Sequence, residues 1–148
     1  METVEKKVAL ADGVYMRILP KKHLNEYREF LPEFDVGMSL MLSPHPSIVP
    51  LEMAAAGMWV VTNTFANKTA ENLLKISANL IPAEPTVEAL ERALARAAEK
   101  VEDYDSRLRG ARVNWSQDWE KTFNHEFRER LKGFIAATKN GHERCISG

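Results

Sequence analysis

The chain has 148 residues, and its 20 Lys and Arg against 21 Asp and Glu give a formal net charge of −1. This length is enough for one domain with a hydrophobic core, and the balanced charge provides no basic footprint for nucleic acid or acidic lipid. Cys145 is the single cysteine, which excludes an internal disulfide framework and fits a reducing compartment.

The first predicted elements are a helix and a strand. Leu24, Tyr27 and Leu31 recur at helical spacing among charged residues, which predicts an amphipathic helix over residues 21–31. A largely apolar run over residues 35–42 then predicts a strand that is buried in a sheet.

A second strand is predicted at residues 58–62, which are rich in β-formers. Between the two strands, Pro50 is tolerated in the first turn of a short helix and Gly57 provides a left-handed stop. The order strand, loop, helix, strand is that of a right-handed crossover between parallel strands. The fold class is therefore α/β, with a parallel sheet and flanking helices.

The remaining elements are a short strand at residues 79–82 and a long helix with Thr86 as its N-cap. One face of that helix carries Leu90, Ala93, Leu94, Ala97 and Val101. After a break near Gly110, a last helix carries a single apolar stripe, formed by Trp119, Phe123, Phe127, Leu131, Phe134 and Ile135. We predict an α/β domain over 1–114, a C-terminal amphipathic helix over 115–140 and a tail over 141–148.

The longest small or apolar run, residues 53–61, is too short to cross a bilayer. Residues 1–7 are charged, unlike a secretory signal. The sequence therefore predicts a soluble cytoplasmic protein with no transmembrane segment.

The stretch SPHPSIVPLEMAAAG, residues 43–57, holds the first group of candidate binding residues. Ligands of open α/β sheets lie beyond the carboxyl ends of the strands, and the loop that starts at Ser43 leaves such an end. Unpaired amides around Ser47 and Ile48, at a helix start, are candidates to hold a phosphate. Glu52 is a candidate acceptor for a sugar hydroxyl. A solvated first-turn glutamate and a merely rigid turn are the simpler alternatives.

Four other residues are weaker candidates. His45 is either a proton carrier or phosphate donor, or an exposed bystander. Asn63, Asn67 and Lys68 follow the strand at 58–62 and so also lie at a carboxyl end. Lys68 is a candidate to neutralise phosphate charge, with a solvated loop lysine as the alternative.

Residues 27–63, YREFLPEFDVGMSLMLSPHPSIVPLEMAAAGMWVVTN, resemble the nucleotide-sugar-binding half of a two-domain (GT-B) glycosyltransferase of family 4. Within that family the stretch is most similar to bacterial rhamnosyltransferase-type enzymes of surface-polysaccharide synthesis, in which SPHPS, PLEMA, VVTN and NK recur. The resemblance covers roughly residues 8–125. It implies a Rossmann-like fold that binds a nucleotide-diphosphate sugar.

The resemblance also implies roles for individual residues. Glu52 contacts the ribose of the donor nucleotide, and His45, Pro46, Ser47 and Ile48 lie along the diphosphate and sugar. The implied reaction retains the anomeric configuration and uses neither a metal nor a cofactor. Acceptor groups come mostly from the other domain, so no catalytic residue is assigned to this chain.

Two departures from the family pattern stand out. The family commonly has a second glutamate eight positions before Glu52, where this chain has Pro44. A complete donor domain also has further strands and helices ahead of this region, and an acceptor-binding domain ahead of those. We therefore expect a fragment of a longer enzyme or a shortened relative, whose missing partner is the acceptor-binding domain.

Two rival interpretations belong to other classes of protein. One is a non-catalytic interaction module derived from a glycosyltransferase fold; Pro44 favours it, whereas Glu52 and the SPHPS loop oppose it. The other is a receiver-like domain, which needs acidic residues at strand ends, whereas Asp35 stands at a strand start. The C-terminal stripe predicts a homodimer through the last helix, or else a helix that completes the core.

Overall fold

The computed structural model describes residues 6–116 and 118–145, with side chains described up to residue 138. The chain divides after Val113 into two compact units. Over the described ranges, no helix has both the length and the apolar character needed to cross a bilayer.

The first unit begins with an antiparallel hairpin of β1, Lys6–Ala11, and β2, Val14–Ile18. The two-residue connection is Asp12-Gly13, and Gly13 has a φ of +75°. Every residue of both strands is exposed. This hairpin was not predicted, although Asp-Gly between two short runs is typical of such a turn.

The first helix, α1, spans Leu24–Phe30 and is followed by a 3₁₀ turn at Leu31–Glu33. It begins three residues later than the predicted range of 21–31 because His23 is its N-cap. The Glu26 carboxylate accepts a hydrogen bond from the His23 amide at 3.1 Å, which completes a capping box.

The central sheet has three parallel strands in the order β3-β4-β5. These are Val36–Met38, Trp59–Asn63 and Leu80–Ala83. Helices lie between successive strands, so the predicted α/β class and its Rossmann-like parallel sheet are confirmed.

The prediction of a strand over 35–42 is wrong beyond Met38. The last backbone hydrogen bond of this strand runs from the Ser39 amide to the Val61 carbonyl, at 3.0 Å. Leu40, Met41 and Leu42 are exposed rather than buried, so their apolar composition reflects an irregular segment that leads into the loop.

Helix α2, Val49–Ala55, follows β3. Pro50 lies in its first turn, and Gly57, with a φ of +88°, follows its end, as predicted. Helix α3, Ala70–Ile76, follows β4 and was not predicted. The Thr69 hydroxyl accepts a hydrogen bond from the Asn72 amide at 3.2 Å and caps this helix.

Two more helices follow β5. Helix α4, Val87–Glu99, is capped by Thr86, as predicted. Val101, predicted on its apolar face, lies beyond its last residue. Helix α5, Tyr104–Gly110, is capped by the Asp103 carboxylate, which accepts from the Ser106 amide at 3.1 Å.

The core has two layers because helices cover both faces of the sheet. Strand β4 is buried along its whole length, which explains its lack of polar alternation. On one face the buried cluster contains Leu31, Leu51, Ala54, Met58, Val60, Leu73 and Leu80. On the other face it contains Trp59, Val61, Ile81, Ala83, Ala93 and Ala97.

Helix α5 is attached to the amino end of the sheet by the Arg107 guanidinium. This group donates at 2.8 Å to the Gly57 carbonyl, to the Asp35 carboxylate and to the Val101 carbonyl. Asn79 in turn donates to the Arg107 carbonyl at 2.8 Å. Asp35 is therefore the ion-pair partner of Arg107 at the start of β3.

The second unit contains α6, Trp119–Thr122, and α7, His125–Cys145. The last helix predicted as continuous is thus interrupted after Thr122, where Asn124 accepts a hydrogen bond from the Phe127 amide at 2.9 Å. The six residues of the apolar stripe are all exposed, by 41% to 77%. The aromatic rings of Trp119 and Phe123 stack with centroids 5.5 Å apart.

Gly110 is a position where we expect a single methyl group to destabilise the fold. A Cβ built there would overlap the Asn79 side chain. We predict that Gly110→Ala lowers the free energy of unfolding by about 2 kcal/mol. As a control, Gly133 in α7 has no atom within 4 Å of a built Cβ, so Gly133→Ala should raise stability by about 0.5–1 kcal/mol. Urea denaturation followed by circular dichroism measures both, and a neutral Gly110→Ala would contradict the close packing.

Candidate functional site

The predicted site residues lie beyond the carboxyl ends of β3 and β4. The SPHPS loop, residues 43–47, connects β3 to α2, and Asn63 is the last residue of β4. Asn67 and Lys68 follow in a tight turn that is closed by backbone hydrogen bonds between Phe65 and Lys68. The topology therefore brings both predicted groups to one edge of the sheet.

The SPHPS loop is held together by its own side chains. Ser43 Oγ accepts a hydrogen bond from the His45 amide at 3.3 Å, and His45 Nδ1 accepts from the Ser47 amide at 3.0 Å. The Ser47 amide, predicted to face a phosphate, is thus bonded within the loop. Pro50 has no N–H. At the start of α2, the amides that stay candidates to hold a phosphate are therefore those of Ile48 and Val49.

Ser47 adopts a left-handed backbone conformation, with a φ of +71°. This region is unfavourable for residues with a Cβ, and such strain concentrates at ligand-binding and catalytic sites. The loop therefore has a fixed shape that costs free energy, which is typical of a binding loop.

Glu52 is half-buried in the first turn of α2. Among the described residues, none donates a hydrogen bond to its carboxylate or forms an ion pair with it. Burial, and then the negative charge of Glu52, raise the pKa of the Tyr27 phenol. This places the carboxylate near α1 and leaves its oxygens able to accept hydrogen bonds from a ligand.

Asn63 is buried, and its carboxamide is fully occupied by backbone groups. Its Oδ1 accepts from the Met41 amide at 2.7 Å. Its Nδ2 donates to the Met41 carbonyl at 3.1 Å and to the Thr64 carbonyl at 3.0 Å. The structure thus gives Asn63 the role of holding the segment ahead of the loop.

Lys68 is buried, with only 3% of its surface exposed. Its Nζ donates to the same Met41 carbonyl at 2.7 Å. Burial lowers the pKa of the Lys68 ammonium. Asn67, in contrast, is exposed, and its backbone carbonyl accepts from the Asn72 side chain at 2.9 Å.

Two residues of this region escaped sequence analysis. Met41 is one of them, because its peptide groups bind the side chains of Asn63 and Lys68 just ahead of the SPHPS loop. The apolar run that contains Met41 gives no sign of these contacts. The Thr62 hydroxyl is buried without a hydrogen-bond partner in the described part of the chain. The sequence signal for a buried hydroxyl here was a threonine within an otherwise apolar strand of Val and Trp.

Two further features of the surroundings bear on ligand chemistry. A cavity of about 390 Å³ lies beside the edge strand β3, and its walls are mainly apolar, formed by Leu19, Phe30, Phe34, Met38, Met53 and Met58 among others. It contains none of the predicted site residues. No group of three or more His, Cys, Asp or Glu within the described ranges is arranged to hold a metal ion.

The parallel sheet, its crossover helices and a strained loop at the carboxyl edge define a Rossmann-like half-domain. Residues 3–95 match the sequence model of the family described as "WsaF, C-terminal domain". This match covers more than half of the 148 residues, and the chain belongs to that family, a glycosyltransferase-associated domain.

A relative among curated proteins is similar over a short stretch. A segment of 54 residues is 50% identical to the O-antigen biosynthesis protein RfbC of Myxococcus xanthus. The segment is 36% of this chain and only 4% of that protein. The chain thus corresponds to a small part of its relative's length.

The Asn63 contacts generate a stability prediction. Asn63→Ala removes three hydrogen bonds and leaves the Met41 amide without its described partner, so we expect a loss of about 2–3 kcal/mol in unfolding free energy. The control Asn67→Ala, at an exposed position, should change stability by less than about 0.5 kcal/mol. Urea denaturation compares the two, and hydrogen exchange at the Met41 amide should accelerate in Asn63→Ala alone. Unchanged protection of that amide would contradict the assigned role.

Proposed function

We propose that this chain binds the nucleotide-diphosphate sugar donor of a retaining glycosyltransferase. The observation that carries the proposal is the Glu52 carboxylate, which is half-buried and unengaged by described residues, in the helix that follows the SPHPS loop. It stands at the sheet edge where α/β proteins bind nucleotides. In this proposal the carboxylate accepts hydrogen bonds from the ribose hydroxyls.

The SPHPS loop supplies the second part of the proposed site. The nucleotide diphosphate would lie along His45, Pro46, Ser47 and Ile48, with Ser43 and its bond to the His45 amide fixing the loop. Such preorganisation lowers the cost of ordering the loop on binding. Stabilising the departing diphosphate electrostatically is the contribution expected from a donor domain.

Family membership and the relative's name support a role in surface-polysaccharide synthesis. We extend this to a GT-B enzyme of family 4 with rhamnosyl or related hexosyl transfer in the cytoplasm, on the strength of the SPHPS, PLEMA and VVTN motifs. In this proposal the acceptor is bound by an acceptor-binding domain, which is the partner of this chain in the reaction.

Glu52 is the residue whose removal should weaken donor binding while preserving the fold. Loss of a charge-assisted hydrogen bond in Glu52→Ala should lower the affinity for a nucleotide-diphosphate sugar roughly tenfold to a hundredfold. Glu88 is a matched control, since it is an exposed carboxylate in the first turn of α4. Calorimetry with UDP-, GDP- and dTDP-sugars should show unchanged affinity for Glu88→Ala. Equal affinity of Glu52→Ala and the parent would remove Glu52 from the site.

Binding should depend on the diphosphate and not on a divalent cation. Because the backbone amides that follow the loop, those of Ile48 and Val49, would hold the phosphates, the nucleoside diphosphate should bind far more tightly than the nucleoside. Chelation with EDTA should leave its affinity unchanged. Strict dependence on magnesium would contradict the metal-free proposal, and absence of any nucleotide binding would favour the interaction module.

Homodimerisation through the C-terminal stripe stays a prediction. Its six exposed apolar residues form a patch of a kind that soluble monomers rarely leave uncovered. Light scattering at micromolar concentration should give twice the monomer mass, and Phe127→Glu should dissociate the dimer while circular dichroism shows an intact fold. A parent chain that scatters as a monomer would exclude the dimer.

A further inference from the structure

The ammonium of Lys68 is an unusual group because it is buried and the described residues give it no counter-charge. No carboxylate of the described residues lies within ion-pair distance of its Nζ. Buried charges in proteins are normally paired, since removal from water is costly for an isolated ion. Its one described hydrogen bond, to the Met41 carbonyl, leaves two ammonium protons for another acceptor.

Holding Met41 does not by itself require a charge at position 68. Asn63 already accepts from the Met41 amide and donates to the Met41 carbonyl. A neutral side chain at position 68 would leave both bonds in place. Burial of the positive charge therefore costs free energy, and the local hydrogen bonds do not explain why a charge is present.

The segment whose carbonyl accepts the Lys68 hydrogen bond is irregular. Leu40, Met41 and Leu42 belong to no strand or helix, and Leu42 is 70% exposed. If the ammonium turned away from the Met41 carbonyl, that carbonyl would keep its bond from Asn63 Nδ2. Lys68 can thus exchange partners while this backbone group stays satisfied.

We propose that Lys68 is the counter-charge for a diphosphate at the carboxyl edge of the sheet, and that its ammonium leaves the Met41 carbonyl to bind a phosphate oxygen. This inference rests on the proposed donor function and names the group that neutralises the donor's diphosphate. It also explains why the part of the chain that the structure describes holds no counter-ion for Lys68, because the ligand supplies it. Asn63 then has a positioning role, since it keeps Met41 in place during the exchange.

The test compares the parent chain with Lys68→Met and Lys68→Gln by calorimetry, using inorganic pyrophosphate, UDP, GDP and dTDP. Both variants should lose roughly tenfold to a hundredfold in affinity for pyrophosphate and for the preferred nucleoside diphosphate. Lys75→Met is the control of equal net charge, because Lys75 is exposed and pairs with Glu71 at 2.6 Å. Its affinities should equal those of the parent.

Stability in the absence of ligand separates this role from a structural one. Removal of an uncompensated buried charge should leave the melting temperature of Lys68→Met unchanged or raised. Pyrophosphate should raise the melting temperature of the parent but not of this variant. If Lys68→Met fails to fold, Lys68→Gln, which keeps a shorter and neutral hydrogen-bond donor, is judged by the same criteria. Unchanged affinity in the folded variant, or no binding of any of the four anions by the parent, would overturn the proposal.

The same measurements distinguish this inference from the donor function. Lys68-dependent binding of pyrophosphate, with no gain from a nucleoside, supports the anion site and contradicts the nucleotide-sugar donor. Nucleotide-sugar binding that depends on Glu52 but not on Lys68 supports the donor function and overturns the role of Lys68.

Discussion

The Asn63 carboxamide is the contact on which the candidate site depends. In the parallel register of β3 and β4, the Ser39 amide bonds the Val61 carbonyl, so the next bond would join the Met41 amide to the Asn63 backbone carbonyl. The Asn63 side-chain oxygen takes that amide instead, at 2.7 Å. A side chain thus continues the hydrogen bonding of a strand that has already ended, and this lets the chain turn outward into the SPHPS loop.

Because the Asn63 side chain replaces its own backbone carbonyl as the acceptor, the sheet was predictable from the sequence but its carboxyl edge was not. Pro50, Gly57 and Thr86 act through local backbone rules, so their helix boundaries were predictable. The apolar run after Met38 has the composition of a strand, but its conformation is decided by Asn63, 22 residues beyond Met41. No local pattern reports such a contact.

The candidate residues divide in a similar way. Proximity of the SPHPS loop, Asn63 and Lys68 followed from the rule that parallel strands end at one edge. That rule did not predict the hydrogen bonding or burial of each residue. The Ser47 amide is bonded to His45, and Lys68 is buried rather than solvated. Burial of a loop lysine depends on tertiary packing, which side-chain type and spacing do not encode.

The Arg107 contacts at the amino end of the sheet have a consequence for how this domain can diversify. They tie α5 to Asp35, Gly57 and Val101, all remote from the loop in the direction of the strands. The SPHPS loop is instead stabilised by bonds among its own residues. Because the Arg107 contacts involve no residue of the loop, a change of loop sequence leaves these contacts in place. Such separation allows the loop to vary while the scaffold stays the same.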